Sequence, residues 1–415
     1  MSACEDRKDI ETASKECCPA SRADPSISGQ SGAADSDCPL AHFGRMIDNC
    51  YEYASQAKAA GRPIVGILCE YTPRELILAA GGVPVCLCGG EAEMIPAAEE
   101  HLPANLCPLI KSTYGYHVRK ANPFLEMADL VVAETTCDGK KKMYELMGES
   151  RPMYVLELPQ KQDGAEALEH WTGEVSKLKA ELERRFGVEI CDGKLREAIA
   201  LMNRERALRR ELAELMQADC PPLTGRQLLG LKSSISAIGA DLDQYARAIE
   251  RFRAAPGPGG LASRVRVLMT GVPVVHGAER VVDLIEDRGG LVVAMENCTG
   301  IKPIAEDVDA DAPDPLRALA ERYYHLPCSV MTPNERRLES LRRLAAEYRP
   351  QCVIELIWQA CLTYDVESAR IRRLAEKELG IPYLRIETDY SPSDSARIAV
   401  RVEALFETIQ EPRSR

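Results

Sequence analysis

The sequence predicts an α/β protein of two domains, each a parallel sheet with helices on its faces, joined by a helical block. Three patterns predict it. Short apolar runs alternate with helical stretches in both outer parts of the chain, which marks parallel strands with crossover helices. The middle carries apolar residues at three- and four-residue intervals among dense charge, a helical period. The second half then repeats the plan of the first.

In order, residues 1–44 read as a flexible tail, poor in periodicity and holding Cys4, Cys17, Cys18 and Cys38. The first α/β domain spans 45–163. A helix through Ile47 to Ala60 precedes the apolar run PIVGILC, a buried strand ending at Cys69. Thr72-Pro73-Arg74-Glu75 has the form of a capping box before a helix over Leu76 to Ala80, which Gly81 and Gly82 stop. Val83 to Leu87 is the second strand, beside Cys86 and Cys88; Leu130 to Ala133 is the third and Met153 to Leu156 the fourth. Residues 164–255 read as helix throughout, and PGPGG opens a linker over 256–261. The second domain, 262–415, has strands at Val265 to Met269, Leu291 to Met295, Cys352 to Ile357 and Tyr383 to Ile386. A helix at Glu279 to Asp287 follows the first, and Thr332-Pro333-Asn334-Glu335 repeats the capping-box form. Both halves are Rossmann-like.

Lys and Arg total 52 against 64 Asp and Glu, a formal charge of −12, which argues against a nucleic-acid or anionic-membrane surface. No apolar run approaches the roughly 20 residues of a spanning helix, and MSACEDRKDIETASKECC lacks a signal-peptide core. The expected location is the cytoplasm. Sixteen cysteines in a reducing compartment are not a disulfide framework.

Their positions carry the functional argument. Ligands of such sheets bind at the carboxyl ends of the strands. Cys69, Cys137, Cys298 and Cys361 follow predicted strands within a few residues, and Cys107 and Cys328 stand in proline-marked loops. Cys137 falls between an apolar strand and a helix, where outward amide N–H groups favour thiolate, and Asp138 and Lys140 to Lys142 add a cap and positive charge. Thiolates suit zinc, copper(I) or iron–sulfur clusters. Cys86-x-Cys88 is the one tight pair of the folded part, so dispersed single cysteines fit a cluster between domains better than a structural zinc site, with buried thiols as the remaining reading.

The segments CEYTPRELILAAGGVPVCLCGG, LPANLCPLIKSTYGYH, VVAETTCDGKKKMYEL, ENCTGIKPIAEDVD, LPCSVMTPNERRLESL and IWQACLTYDVES together resemble the 2-hydroxyacyl-CoA dehydratase and benzoyl-CoA reductase superfamily, most of all its double-cubane cluster proteins. The likeness covers about 45 to 411. It implies one [4Fe-4S] cubane on Cys107, Cys137 and Cys361. In the double-cubane branch it implies a second, sulfide-bridged cubane, giving an [8Fe-9S] centre that adds Cys298, Cys328 and Cys69, with Cys86 or Cys88 as the alternative to Cys69. It further implies an ATP-hydrolysing partner with its own [4Fe-4S] cluster that injects electrons one at a time. The chain has no G-x-x-x-x-G-K-[ST] loop, which fits nucleotide chemistry residing in that partner.

The expected function is therefore a cytoplasmic iron–sulfur reductase acting on a small molecule in the interdomain cleft. The alternatives are a single-cubane dehydratase or acyl-CoA reductase component and a non-enzymatic electron carrier. His276 and Glu296 are the candidate catalytic groups, among the polar residues Glu70, Glu134 and His325 at the same edge, and Lys111 and Lys140 are candidate cluster-binding cations. A homodimer is expected, since symmetric pairs are the commonest soluble assemblies.

Overall fold

The computed structural model describes residues 38–162, 164–254, 257 and 259–410. Cys4, Cys17 and Cys18, and Pro256 and Pro258 of the proline–glycine linker, lie outside the described residues.

Eight strands form two four-stranded, all-parallel sheets. The first contains β1 (Ile64–Ile67), β2 (Val83–Cys86), β3 (Leu130–Glu134) and β4 (Met153–Leu156) in the order β2-β1-β3-β4. The second contains β5 (Val265–Gly271), β6 (Gly290–Glu296), β7 (Cys352–Trp358) and β8 (Tyr383–Thr388) in the equivalent order β6-β5-β7-β8. The repeated plan is thus a repeated topology. In β3, Val131 and Ala133 enter one core and Leu130 and Val132 another, so alternate side chains bury on opposite faces of the sheet. That explains why its apolar run is continuous. The first of these cores runs on into β5 and β7, so the two sheets share apolar packing.

Several details depart from the sequence reading. Residues 39–44, assigned to the tail, form the helix Pro39–Gly44; Cys38 is buried at its start and the Phe43 ring stacks on Tyr245 at 4.7 Å. The helical block holds Ala165–Phe186, Asp192–Glu214, Gly225–Gly230 and Gly239–Ala254, but breaks between Leu231 and Ile238. There the chain is extended: Ile235 bridges Val85 antiparallel, and the Cys86 amide donates to the Ser234 carbonyl at 2.8 Å. The Ser-Ser-x-Ser run, flanked by Gly230 and Gly239, resists helix and gives the open edge of β2 a partner.

Neither expected capping box forms. Thr72 donates instead to the buried Glu134 carboxylate, and Glu75 turns inward. Asn334 sends its amide to Glu367 at 2.8 Å. Glu75 shows why: it ion-pairs with Arg206 of the block and accepts from the Tyr323 hydroxyl of the second domain at 2.7 Å, a junction of all three parts.

The two halves of the chain meet at defined points. The Tyr71 hydroxyl donates to the Leu326 carbonyl at 3.2 Å, and Tyr390 to the Gly89 carbonyl at 3.2 Å. Gly90 lies against the His276 backbone so closely that a Cβ there would stand 2.1 Å from its carbonyl oxygen.

Candidate cluster site and its family

Every candidate cysteine lies at the carboxyl edge of the sheets. Cys107, Cys137 and Cys361 are the N-cap residues of Pro108–Arg119, Asp138–Gly148 and Leu362–Arg373. First-turn amides point at each sulfur: Leu109 and Ile110 at Cys107, Gly139 and Lys140 at Cys137, Tyr364 at Cys361. Three helix N-termini therefore converge where anionic sulfur would be stabilised. Cys107 and Cys361 share a side-chain hydrogen bond, and Cys137 is within electrostatic reach of both. That hydrogen bond from Cys361 holds Cys107 below the usual thiol range, although burial opposes it. Burial pushes Cys137 up. Ala360, at φ 60°, lies in the tight turn that closes from Cys361 N–H to the Trp358 carbonyl at 3.0 Å and delivers Cys361.

Cys69, Cys298 and Cys328 form a second triad, each within electrostatic reach of the other two. These thiols cap no helix. Burial pushes Cys69 up and Cys298 up to about 12, against the opposing pull of Lys140 on both and of Lys302 on Cys298. Each triad draws on both halves of the chain. Cys86 and Cys88 are hydrogen-bonded to each other next to the second triad, and Cys88 is within reach of Cys69.

Of the three lysines after Cys137, only Lys140 turns inward. Its ammonium donates to the Leu68 carbonyl at 2.8 Å and reaches Cys69, Cys88 and Cys137, touching both triads. Burial alone would lower its pKa; Tyr144 and the thiols reverse that and hold it charged. Lys141 pairs with Asp138 at 2.8 Å and Lys142 with Glu145, both outward. Asp138 is thus no cap, Cys137 itself taking that position.

Other sequence candidates divide. Lys111 is spent on Glu99 and the Ala104 carbonyl, both at 2.7 Å, rather than directed at sulfur. Glu296 is buried, accepts from Thr270 at 2.6 Å, and lies between Arg337 Nε at 3.2 Å and Lys302 Nζ at 3.4 Å. His276 is mostly exposed, with Nδ1 3.7 Å from Glu279, on the wall of a cavity of about 110 Å³ that Cys86, Cys88 and Cys298 also line. His325 lies at the end of Pro315–Tyr324, and burial lowers its pKa. Burial lifts Glu134 to about 7.

The sequence reading missed Lys302, Tyr364 and Arg337. Lys302 donates to the Tyr364 hydroxyl at 2.9 Å, and the Arg337 guanidinium lies 4.8 Å from the Tyr364 ring centre, forming the polar floor behind Cys298 and Cys328. The available signal was position: Lys302 lies four residues beyond Cys298, and Tyr364 three residues beyond Cys361.

Orphaned polar atoms complete the geometry. Among the described residues, the Thr136 and Tyr144 hydroxyls and one Glu134 oxygen are buried without a hydrogen-bond partner, beside these thiols. Among the described residues, no three His, Cys, Asp or Glu side chains close on one ion-sized point. The thiols form two open triads instead, and a polynuclear cluster places each thiolate on a different iron.

The sequence profile of the 2-hydroxyglutaryl-CoA dehydratase D-component matches residues 69–409. The chain belongs to that family. Its relatives include YjiM of Escherichia coli (strain K12), provisionally named a dehydratase subunit, 43% identical over 361 residues, covering 85% of this chain and 93% of that protein. The beta subunit of (R)-2-hydroxyglutaryl-CoA dehydratase from Acidaminococcus fermentans is 23% identical over 366 residues, 85% of this chain and 94% of that one. A benzoyl-CoA reductase subunit of Thauera aromatica is 26% identical over 151 residues, 35% of this chain and 38% of that one. The profile begins at Cys69 and takes in both triads, so all six cysteines lie in the family's own segment. No helix among the described residues is long and apolar enough to cross a membrane.

Proposed function

We propose that this family member is an iron–sulfur reductase with an [8Fe-9S] double-cubane cluster between its domains. One observation carries the reading: the six cysteines form two triads, each drawn from both domains, with Lys140 reaching both. The donor set fits, being all thiol, lined by three helix N-termini and two lysines that offset negative charge. When bound, the cluster supplies low-potential electrons one at a time.

The chain's own residues do the remainder. Cys107, Cys137 and Cys361 would hold one cubane, and Cys69, Cys298 and Cys328 the other. Lys140 and Lys302 balance their charge. The Gly90–His276 and Tyr71–Leu326 contacts hold the two halves of the chain together beside the cysteines. His276, on the cavity wall, is the proton carrier, its Nδ1 facing Glu279. Glu296 acts at one remove by anchoring Lys302. The electron donor is an ATP-hydrolysing protein with its own [4Fe-4S] cluster, and the working unit is a cytoplasmic homodimer.

A second reading is favoured by the names of the relatives. The first triad alone would hold a single [4Fe-4S] cubane in a 2-hydroxyacyl-CoA dehydratase component. Cys298→Ser separates the two when iron is counted after anaerobic purification. The double-cubane reading expects it to lose iron; unchanged iron would overturn that reading in favour of the single cubane.

A further inference from the structure

The cavity beside Cys86, Cys88 and Cys298 has chemistry that the cluster reading leaves unused. It is closed on one side by the helical block, through Arg206, Arg209 and the extended segment from Lys232 to Ser236. Four cations line it, and three have carboxylate partners: Arg74 with Glu70 at 2.9 Å, Arg206 with Glu75, and Arg209 with Glu205 at 3.5 Å. Lys232 is the exception. Among the described residues no carboxylate lies within ion-pair distance of it, and its one hydrogen bond is to the Val274 carbonyl at 3.2 Å. An ammonium has three donors, so two remain for a ligand. The Lys232 side chain is half-buried, and Glu279 is within electrostatic reach without pairing with it, so an anion joining the ammonium would offset the cost of its partial burial.

A second space, which we call the apolar arm, adjoins this cavity. It has a volume of about 50 Å³, shares Arg209, Lys232, Thr299 and Ile304 with the first, and is otherwise mostly apolar, lined by residues such as Leu212, Leu228, Leu229, Val293 and Ile301. At about 10–15 Å³ per water-sized group, it holds roughly three to five such groups. Lys232 stands where the polar and apolar arms meet. The extended segment that carries it is pinned to β2 by the Ile235–Val85 bridge and the Ser234–Cys86 hydrogen bond, so the backbone from which the side chain projects is held in place.

We infer that this cavity binds a short-chain aliphatic carboxylate, its carboxylate on Lys232 and its alkyl end in the apolar arm. One uncommitted ammonium matches one negative charge. The guanidiniums that would grip a phosphate bidentately are already tied to glutamates. A neutral ester or thioester would leave Lys232 without an ion-pair partner. The inference concerns binding and assigns no reduction to the anion; it rests on the proposed function only in taking Cys298, on the cavity wall, as a cluster ligand.

Calorimetric titration of the anaerobically purified, unreduced full chain tests it, with iron counted in the same sample. Butyrate is expected to bind saturably, and butyramide, of the same shape without the charge, at least tenfold more weakly. Lys232→Met should weaken butyrate at least tenfold, and Lys232→Arg should retain most of the binding. Leu228→Trp, which fills the apolar arm, should weaken butyrate but not acetate. Butyramide binding as tightly as butyrate, or Lys232→Met titrating like the unaltered chain, overturns the inference. If Lys232→Met fails to fold, the butyrate–butyramide comparison on the unaltered chain decides. Butyrate bound by a sample without iron would sink the reductase reading and leave the site; iron present with no butyrate bound would do the reverse.

Discussion

Replacing Glu75 by Gln removes the carboxylate on which the first domain, the helical block and the second domain meet. The Glu75 side chain is 0% exposed and that of Arg206 3%, so the ion pair is dry. The Tyr323 hydroxyl donates to the other Glu75 oxygen at 2.7 Å. Glutamine keeps an acceptor for one of these donors but leaves the guanidinium without a counter-charge. Breaking a buried pair from one side costs about 3–5 kcal/mol, and the retained acceptor places this variant near 3 kcal/mol. Urea unfolding at pH 7 measures it, in a cycle with Arg206→Met and the double variant. Because each single substitution strands a partner, the double should cost well under the sum of the two. A single-variant loss below about 1 kcal/mol, or additivity within about 0.5 kcal/mol, would refute the reasoning. The pH dependence has a fixed sign. Burial would raise the Glu75 pKa, but Arg206, Arg322 and the Tyr323 hydrogen bond outweigh it and hold it below the usual carboxylate value. The stabilisation is therefore complete above about pH 4.5 and disappears as pH falls through the folded-state pKa. The difference in urea midpoint between the unaltered chain and Glu75→Gln should shrink over that same descent.

Other perturbations address other parts of the account. Gly90→Ala forces a Cβ against the His276 carbonyl, and domain closure should weaken by about 1–3 kcal/mol, read as a lower thermal midpoint and faster proteolysis between the domains. Lys140→Met removes the positive charge reaching both triads; the cluster's midpoint potential should become more negative by about 1–2 kcal/mol per electron, about 40–90 mV, in an EPR-monitored redox titration. An unchanged potential would place Lys140 outside the cluster's field. Cys137→Ser should remove most of the iron, whereas Cys38→Ser should leave it intact. Cys38 is buried at the start of Pro39–Gly44, so iron loss on its replacement would make that helix part of the site.

Much of the fold was legible because parallel strands buried on both faces read as unbroken apolar runs. PIVGILC and LVVAE could not be surface elements, and the structure makes them the central strands β1 and β3. The edge position of the cysteines followed from the same rule. What the sequence hid was tertiary. Thr72 and Glu75 have the pattern of a cap, yet buried partners more than 60 residues away claim both side chains. The segment from Leu231 to Ile238 continues an apparent helical period, yet the unpaired edge of β2 draws it into extended pairing. Lysine number said little about lysine role: Lys140, Lys141 and Lys142 are adjacent, and only the helix phase turns the first toward sulfur. The division of six cysteines into two triads depends on how the domains face each other, which no local pattern encodes.

The central claim is tested most directly by counting iron and acid-labile sulfide per chain after purification without oxygen, with zinc measured in the same sample. The double-cubane account predicts about eight irons and about nine sulfides per chain. About four irons would contradict it in favour of a single cubane on Cys107, Cys137 and Cys361, and zinc without iron would contradict the redox function in both forms.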